Sequence, residues 1–175
     1  LQYLENKFGR TGEVIISPRI WVYPIYGGGS TTYAGWLLES SKPTEYVPYV
    51  LRALIGLTPQ EDEITHISLS FSEKFQNSRW FLDTDVWAIM IHERVAEDLG
   101  ITALPAKVSL SGVPLTVVGV YSDKLYHITD INFYKLLIPI DFSLGPPEMS
   151  SMESRHVAII PYRLATMMAP YFAVE

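Results

Sequence analysis

The 175-residue sequence contains no cysteine, which excludes disulfide bonds and thiolate zinc sites. It also lacks any apolar run close to the roughly 18–20 residues that a membrane-spanning helix needs. The first seven residues, LQYLENK, are too polar for a signal peptide, and the sequence does not begin with Met. We therefore expect an excised domain of a larger protein.

Clustered positive charge is missing as well. The 13 Lys and Arg residues are scattered singly and are outnumbered by 19 Asp and Glu, for a net charge of −6. Binding nucleic acid requires a clustered basic surface, so a nucleic-acid partner is excluded. The hydrophobic fraction of 48% indicates a folded globular chain, and the length suits one domain or one domain with an inserted lobe.

Motifs for catalysis and cofactor binding are incomplete or absent. His92-Glu93 could begin a zinc-protease motif, but Ala96 stands where the second His is required. The sequence has no G-x-S-x-G elbow and no phosphate-binding P-loop. Acidic residues 61–63 and 83–85 are typical of solvated turns. We interpret His92 as a helix cap or solvent residue and expect no enzyme activity, no cofactor, and no catalytic, cofactor-binding or metal site.

The clearest pattern begins with the apolar run at residues 86–91, which is rich in strand-forming residues. Ile91, Val95 and Leu99 then recur at the i, i+4, i+8 spacing of one helical face, with charged residues between them. Gly100 follows where a helix commonly ends with a positive φ. The pattern predicts a strand followed directly by a short amphipathic helix.

A hairpin is predicted immediately after this helix. Val108 and Leu110 alternate with polar residues, Ser111-Gly112 is a turn sequence, and an apolar run returns at residues 115–120. Together these segments form a strand-helix-hairpin unit around which the remaining pattern is organised.

Elsewhere the sequence is rich in strand-formers and poor in helical periodicity. Pro18 and Pro24 would remove backbone donors from a ladder, which predicts an edge or bulged strand around them. The expected fold class is α+β, mostly antiparallel with few helices. Besides the central unit, strands are predicted at residues 13–26, 33–38, 46–55, 133–142 and 156–160, and helices at 1–8 and 162–168.

Aromatic residues crowd the N-terminal part of the chain. Trp21, Tyr26 and Trp36 are large amphipathic side chains of the kind that supply binding surfaces for protein partners or membrane interfaces. They could equally cover the core of a β-rich domain. Both interpretations are open, and the possible interaction surface is assigned to these three residues.

The central unit resembles the extracytoplasmic domain of FtsX-like, or MacB-like, ABC transporter permeases. Flanking segments 54–59 (LIGLTP) and 156–162 (HVAIIPY) resemble the motifs that precede and follow this unit in the family. The residues of the unit that carry the resemblance are Ile91, Glu93, Ala96, Leu99, Gly100, Ile101, Val108, Leu110, Gly112, Leu115, Thr116, Val117, Val118, Gly119 and Val120.

The resemblance implies an extracytoplasmic permease domain over residues 1–175, in two lobes. Residues 10–57 and 124–175 would form a membrane-proximal lobe, and 58–123 an inserted lobe. Such a domain is non-catalytic, lies on the outer side of the cell membrane, and couples ATP-driven movement of the membrane helices to cargo release or export or to partner activation. The alternatives are a stand-alone extracellular binding module and, less favoured, a hydrolase.

The partners that this resemblance implies are those of an assembled transporter. They are the protein's own transmembrane helices, a cognate ABC ATPase subunit, a second permease copy and an extracytoplasmic protein.

Overall fold

A computed structural model describes residues 17–24, 35–41, 47–128, 137–141 and 150–168. Within these ranges the chain forms ten strands and three short α-helices. The α-helices are α1 (Glu61–Thr65), α2 (Glu93–Asp98) and α3 (Tyr162–Met168), and 3-10 helices lie at Ile67–Ser70, Asp123–His127 and Ser154–His156. The strands are β1 (Arg19–Val22), β2 (Trp36–Ser40), β3 (Tyr49–Leu51), β4 (Ala53–Leu57), β5 (Ala88–His92), β6 (Ala106–Leu110), β7 (Val113–Tyr121), β8 (Ile140–Asp141), β9 (Ser150–Ser151) and β10 (Val157–Pro161).

Eight of these strands form one sheet in the order β1-β4-β10-β5-β7-β6-β2-β3, while β8 and β9 pair separately. The β4–β10 and β5–β7 pairs are parallel and the other neighbours are antiparallel. The predicted α+β class, mostly antiparallel with few helices, is confirmed. Strand β1 lies at an edge of the sheet, as Pro18 and Pro24 on either side of it predicted.

Chain connectivity brings β3, at one end of the large sheet, close to β4, the second strand from the other end. Strand β3 pairs with β2 at one end, and β4 pairs with β1 and β10 at the other. Only Arg52 separates β3 from β4 in the chain, so Leu51 and Ala53 lie within about two residue lengths, or roughly 7 Å, of each other. The backbone N–H of Arg52 donates to the carbonyl of His156 at 2.7 Å and so joins this junction to the segment before β10.

Alternate residues of the central strands separate into two hydrophobic clusters. The inner cluster includes Leu54 and Ile89, together with residues of α2 and α3, whereas the outer cluster includes Ile55 and Met90. Every residue of β4, β5 and β10 is buried. These three strands therefore have hydrophobic packing on both faces, which explains their continuous apolar sequences.

The strand-helix-hairpin unit forms as the sequence predicted. Strand β5 leads directly into α2, and Gly100 has a φ of 66° just after the helix. The turn between β6 and β7 is Ser111-Gly112, with φ values of 48° and 88°, the left-handed pair that suits a two-residue hairpin. Val95 of the helix is fully buried in the inner cluster with residues of β7.

One strand boundary differs from the sequence-based expectation. The single strand predicted over residues 46–55 is divided at Arg52, because its two halves pair with different neighbours. Strands β5, β6 and β7, from the predicted lobe 58–123, lie between β10 and β2 from the other predicted lobe. The division into two lobes at residues 57 and 123 stays a prediction. The predicted helix at residues 1–8 lies outside the described residues.

Candidate functional site

Of the three residues of the predicted aromatic surface, one is buried, one is half-buried and one lies outside the described residues. Trp36, on β2, is 3% exposed and belongs to the inner cluster. Trp21, on β1, is half-buried and packs against the outer cluster, while Tyr26 lies outside the described residues. For Trp36 the interpretation as an exposed binding surface is wrong, because alternation along β2 directs the ring inward. A contact of Trp21 or Tyr26 with a partner stays a prediction.

His92 is the N-cap residue of α2, which was one of its two predicted roles. Its Nδ1 accepts a hydrogen bond from the backbone N–H of Arg94 at 3.2 Å. The solvent-residue alternative is wrong, because the side chain is 0% exposed. Ala96, where a zinc protease would have its second His, is buried in the inner cluster.

His92 also belongs to a polar network that the sequence did not indicate. Because Nδ1 accepts a hydrogen bond, the neutral ring carries its hydrogen on Nε2, which donates to Asp123 Oδ1 at 3.0 Å. Ser154 Oγ donates to the same carboxylate oxygen at 2.9 Å. Three short helical segments, far apart in sequence, thus meet at one carboxylate. The Ser122-Asp123 sequence indicates a turn, but nothing in it predicts a contact with residue 92 or 154.

The environment sets the charge of both titratable groups in this network. The hydrogen bond from Ser154, with a further contribution from the hydrogen bond of His92, lowers the pKa of Asp123, so this carboxylate is ionised at neutral pH. Burial lowers the pKa of His92, although Asp123 opposes the shift, so the imidazole is neutral at neutral pH.

The connectivity of this network differs from that of a catalytic triad. In a triad the serine hydroxyl donates to the histidine, and the carboxylate orients the histidine from its other nitrogen. Here Ser154 and His92 both donate to Asp123, and the second nitrogen of His92 caps the helix. The arrangement fixes the position of a carboxylate and provides no activated serine.

A polar pocket of about 440 Å³ opens beside Asp123. Besides Asp123 and Ser154, its walls include Arg94 from α2, Tyr126 from the 3-10 helix after β7, and Arg155 from the 3-10 helix before β10. The pocket therefore contains side chains of both charges at the junction of three elements.

A second, apolar pocket of about 420 Å³ lies where the end of α3 approaches the β6–β7 turn. Trp36, Trp87, Leu164 and Met167 line it, and Trp87 is 52% exposed. Trp87 also lines a separate polar pocket of about 420 Å³ that contains the ion pair of Arg79 with Asp85. Trp36 therefore contributes one wall of a surface pocket although its ring is almost wholly buried.

The first described strand and the last described helix lie against the same point of β4. A Cβ added to Gly56 would lie 2.4 Å from both Ile20 Cγ2 of β1 and Ala165 Cβ of α3. It would lie 3.5 Å from Tyr162 Cα. Only a residue without a side chain allows β1 and α3 to approach β4 so closely. Residues 19–22 and 162–168 consequently pack side by side.

Within the described ranges, no group of three His, Asp or Glu side chains is placed to hold a metal ion. None of the helices in this part of the chain combines the length and the apolar character needed to cross a membrane.

Comparison with known proteins identifies similar structures but no similar sequences. No protein-family model matches the chain, and no curated protein matches it. The periplasmic region of MacB from Actinobacillus actinomycetemcomitans is similar at a TM-score of 0.43 and 12% identity, over 84% of this chain and 66% of that one. The extracellular domain of the ABC-type transporter YknZ from Gram-positive bacteria is similar at a TM-score of 0.43 and 14% identity, over 97% of this chain and 69% of that one. The chain spans about two thirds of the length of these two structures.

Proposed function

We propose that this chain is the non-catalytic extracytoplasmic domain of an FtsX-like or MacB-like ABC permease. In the assembled transporter it couples ATP-driven movement of the membrane helices to release or export of a cargo, or to activation of a partner. The observation that carries the proposal is the convergence of β1 and α3 at Gly56. A domain inserted between two membrane helices needs its incoming and outgoing segments close together at one place.

The packing of the domain suits transmission of movement. Glu61 of α1 is fully buried and forms an ion pair with Arg19 of β1 at 2.8 Å. Ser17 donates to the same carboxylate at 2.7 Å, which fixes the segment that leads into β1. On the other side, Leu164 and Ala165 anchor α3 in the inner cluster. A displacement of either segment is therefore passed to the large sheet and not absorbed locally.

The partners follow from this role. The domain would act with its own transmembrane helices, a cognate ABC ATPase subunit and a second permease copy at the cell membrane, and its outer surface would meet an extracytoplasmic protein. The catalytic work of ATP hydrolysis belongs to the ATPase subunit.

The first test is the coding sequence on either side of residues 1–175. We expect an apolar span of about 20 residues on each side and an ABC ATPase encoded nearby. The absence of spans on both sides would overturn the proposal and would favour the alternative of a stand-alone binding module.

The second test separates coupling from folding in the full-length permease. Flexible Gly-Ser linkers placed before Ser17 and after Met168 should abolish transport or partner activation while ATP hydrolysis persists, because movement would no longer reach the sheet. The matched control places the same linker in the exposed turn between Gln76 and Asn77, where activity should be retained. Full activity with linkers at both tethers would show that the domain does not transmit movement.

A further inference from the structure

In the pocket beside Asp123, one oxygen of the Asp123 carboxylate already accepts hydrogen bonds from the protein, and the other is available to a ligand. Oδ1 accepts hydrogen bonds from His92 and Ser154, which are 0% and 5% exposed. Among the described residues no hydrogen bond reaches Oδ2, although the Asp123 side chain is 71% exposed. Two buried donors from different elements thus fix the orientation of an exposed carboxylate before any ligand arrives.

The same pocket presents a cation near this carboxylate. Arg94 is exposed on α2, and no ion pair or side-chain hydrogen bond involves its guanidinium within the described part of the chain. The positive charge of Arg94 helps to lower the pKa of Asp123, but the two side chains do not form an ion pair. Arg155, also in the pocket, is already held by Glu153 at 2.6 Å. One unpaired cation and one orientated anion therefore face a common space of about 440 Å³.

We propose that this pocket binds a small dipolar ligand that carries an ammonium group and a carboxylate, as a short peptide with free ends does. The ammonium group donates to Asp123 Oδ2, and the carboxylate accepts from the Arg94 guanidinium. Tyr126 and Ser151, on neighbouring walls, provide an aromatic face and a hydroxyl for the part between the two charged ends. This inference is independent of the permease proposal, since it requires only the described pocket.

The fixed carboxylate is what distinguishes this pocket from a random surface pair of charges. A freely rotating Asp and Arg would collapse onto each other, and an exposed pair gives little binding energy. Here the two hydrogen bonds to Oδ1 fix the Asp123 side chain in one conformation. A ligand therefore does not lose binding free energy in ordering this side chain.

The test is an NMR titration of the isotope-labelled chain with triglycine, which has both charges. We expect saturable shifts confined to residues around Arg94, Asp123, Tyr126 and Ser151, with a Kd of about 1–10 mM, as suits two partly solvated contacts. N-acetyl-triglycine lacks the ammonium group and triglycine amide lacks the carboxylate. Each should bind at least about ten-fold more weakly.

Variants of this chain provide the second arm. Asp123→Asn keeps an oxygen for His92 and Ser154 but removes the charge, and Arg94→Gln removes the cation while leaving the backbone N–H that His92 accepts from. Each should weaken triglycine binding at least about ten-fold, whereas the exposed controls Asp83→Asn and Arg163→Gln should leave it unchanged.

Shifts that fail to saturate by about 50 mM, or that are scattered over the surface, overturn the proposal. Equal affinity for triglycine and its two single-charge analogues does so as well. If Asp123→Asn loses its folded spectrum, Arg94→Gln and the three peptides still decide the question.

Discussion

The imidazole of His92 is fully buried, yet its Nε2 lies 3.0 Å from a carboxylate oxygen of Asp123, whose side chain is 71% exposed. The bond runs from the N-cap residue of α2 to the 3-10 helix that follows β7. It makes the stability of the α2 cap depend on the protonation of a buried ring.

We predict that acid weakens the fold partly through His92. Burial holds the pKa of His92 below the 6.5 of an exposed ring, so the unfolded chain binds more protons. The contribution to stability is complete above about pH 6.5 and is lost as the pH falls toward the pKa of the folded state. When the unfolded chain binds one proton more than the folded chain, the free energy of unfolding falls by up to about 1.4 kcal/mol for each pH unit of acidification.

Urea denaturation at pH 7, 6 and 5 measures this effect. His92→Asn keeps a capping side chain without a titratable ring and should reduce the slope of stability against pH. His156, whose pKa burial also lowers, contributes in the same direction and remains in the variant, so the slope should be reduced but not abolished. An identical slope in wild type and His92→Asn would contradict the prediction.

Val95→Asp should destabilise the chain by about 3 kcal/mol or more. Val95 is 0% exposed in the inner cluster, and a carboxylate there would be buried without a partner. Asp98→Asn, on the exposed side of the same helix, should change the free energy of unfolding by no more than about 0.5 kcal/mol. An unchanged urea midpoint for Val95→Asp would show that α2 does not pack on the sheet.

Gly56→Ala should cost about 1–3 kcal/mol, because the new methyl group would overlap Ile20 and Ala165. Adding Ala165→Gly removes one of these contacts, so the double variant should lose less stability than the sum of the two single variants. A double-mutant cycle in urea measures this coupling. Strict additivity would mean that Ala165 of α3 does not contact a side chain at position 56.

The two described tryptophans of the aromatic group should respond differently to substitution. Trp36→Ser should cost about 3–5 kcal/mol, the usual loss for a buried tryptophan, whereas half-buried Trp21→Ser should cost clearly less. In the full permease, Trp21→Ser then tests for a binding surface without unfolding the domain. Loss of transport with ATP hydrolysis intact would support a contact there, and wild-type transport would remove Trp21 from the proposed surface.

The isolated domain should hold no stoichiometric zinc and should hydrolyse neither ATP nor esters. Ala96 replaces the second zinc ligand, and Ser154 donates to Asp123 instead of to a base. Elemental analysis of protein purified without a polyhistidine tag, together with hydrolysis assays, provides the measurement. One zinc ion per chain that disappears in His92→Ala would contradict the expectation.

The sequence by itself determined the local elements with strong periodicity. The spacing of Ile91, Val95 and Leu99 defined the buried face that begins at the end of β5. Gly100 and Ser111-Gly112 defined two changes of chain direction. Both kinds of signal can be read from the sequence because a repeat in burial and a positive φ depend on near neighbours in the chain. The cap role of His92 was predictable for the same reason. These features need no knowledge of what lies across the sheet.

Only the tertiary structure decided how the elements are joined. Residues 49–57 form one apolar stretch in sequence, yet Arg52 divides it because β3 and β4 pair with strands at opposite ends of the sheet. Trp36 and Trp21 belong to the same residue type, but the alternation and position of their strands place one in the core and the other at its margin. The meeting of His92, Asp123 and Ser154 spans more than 60 residues of chain, and Gly56 brings together β1 and α3 from its two ends. Such contacts depend on long-range pairing and packing, for which a single sequence carries no periodic signal.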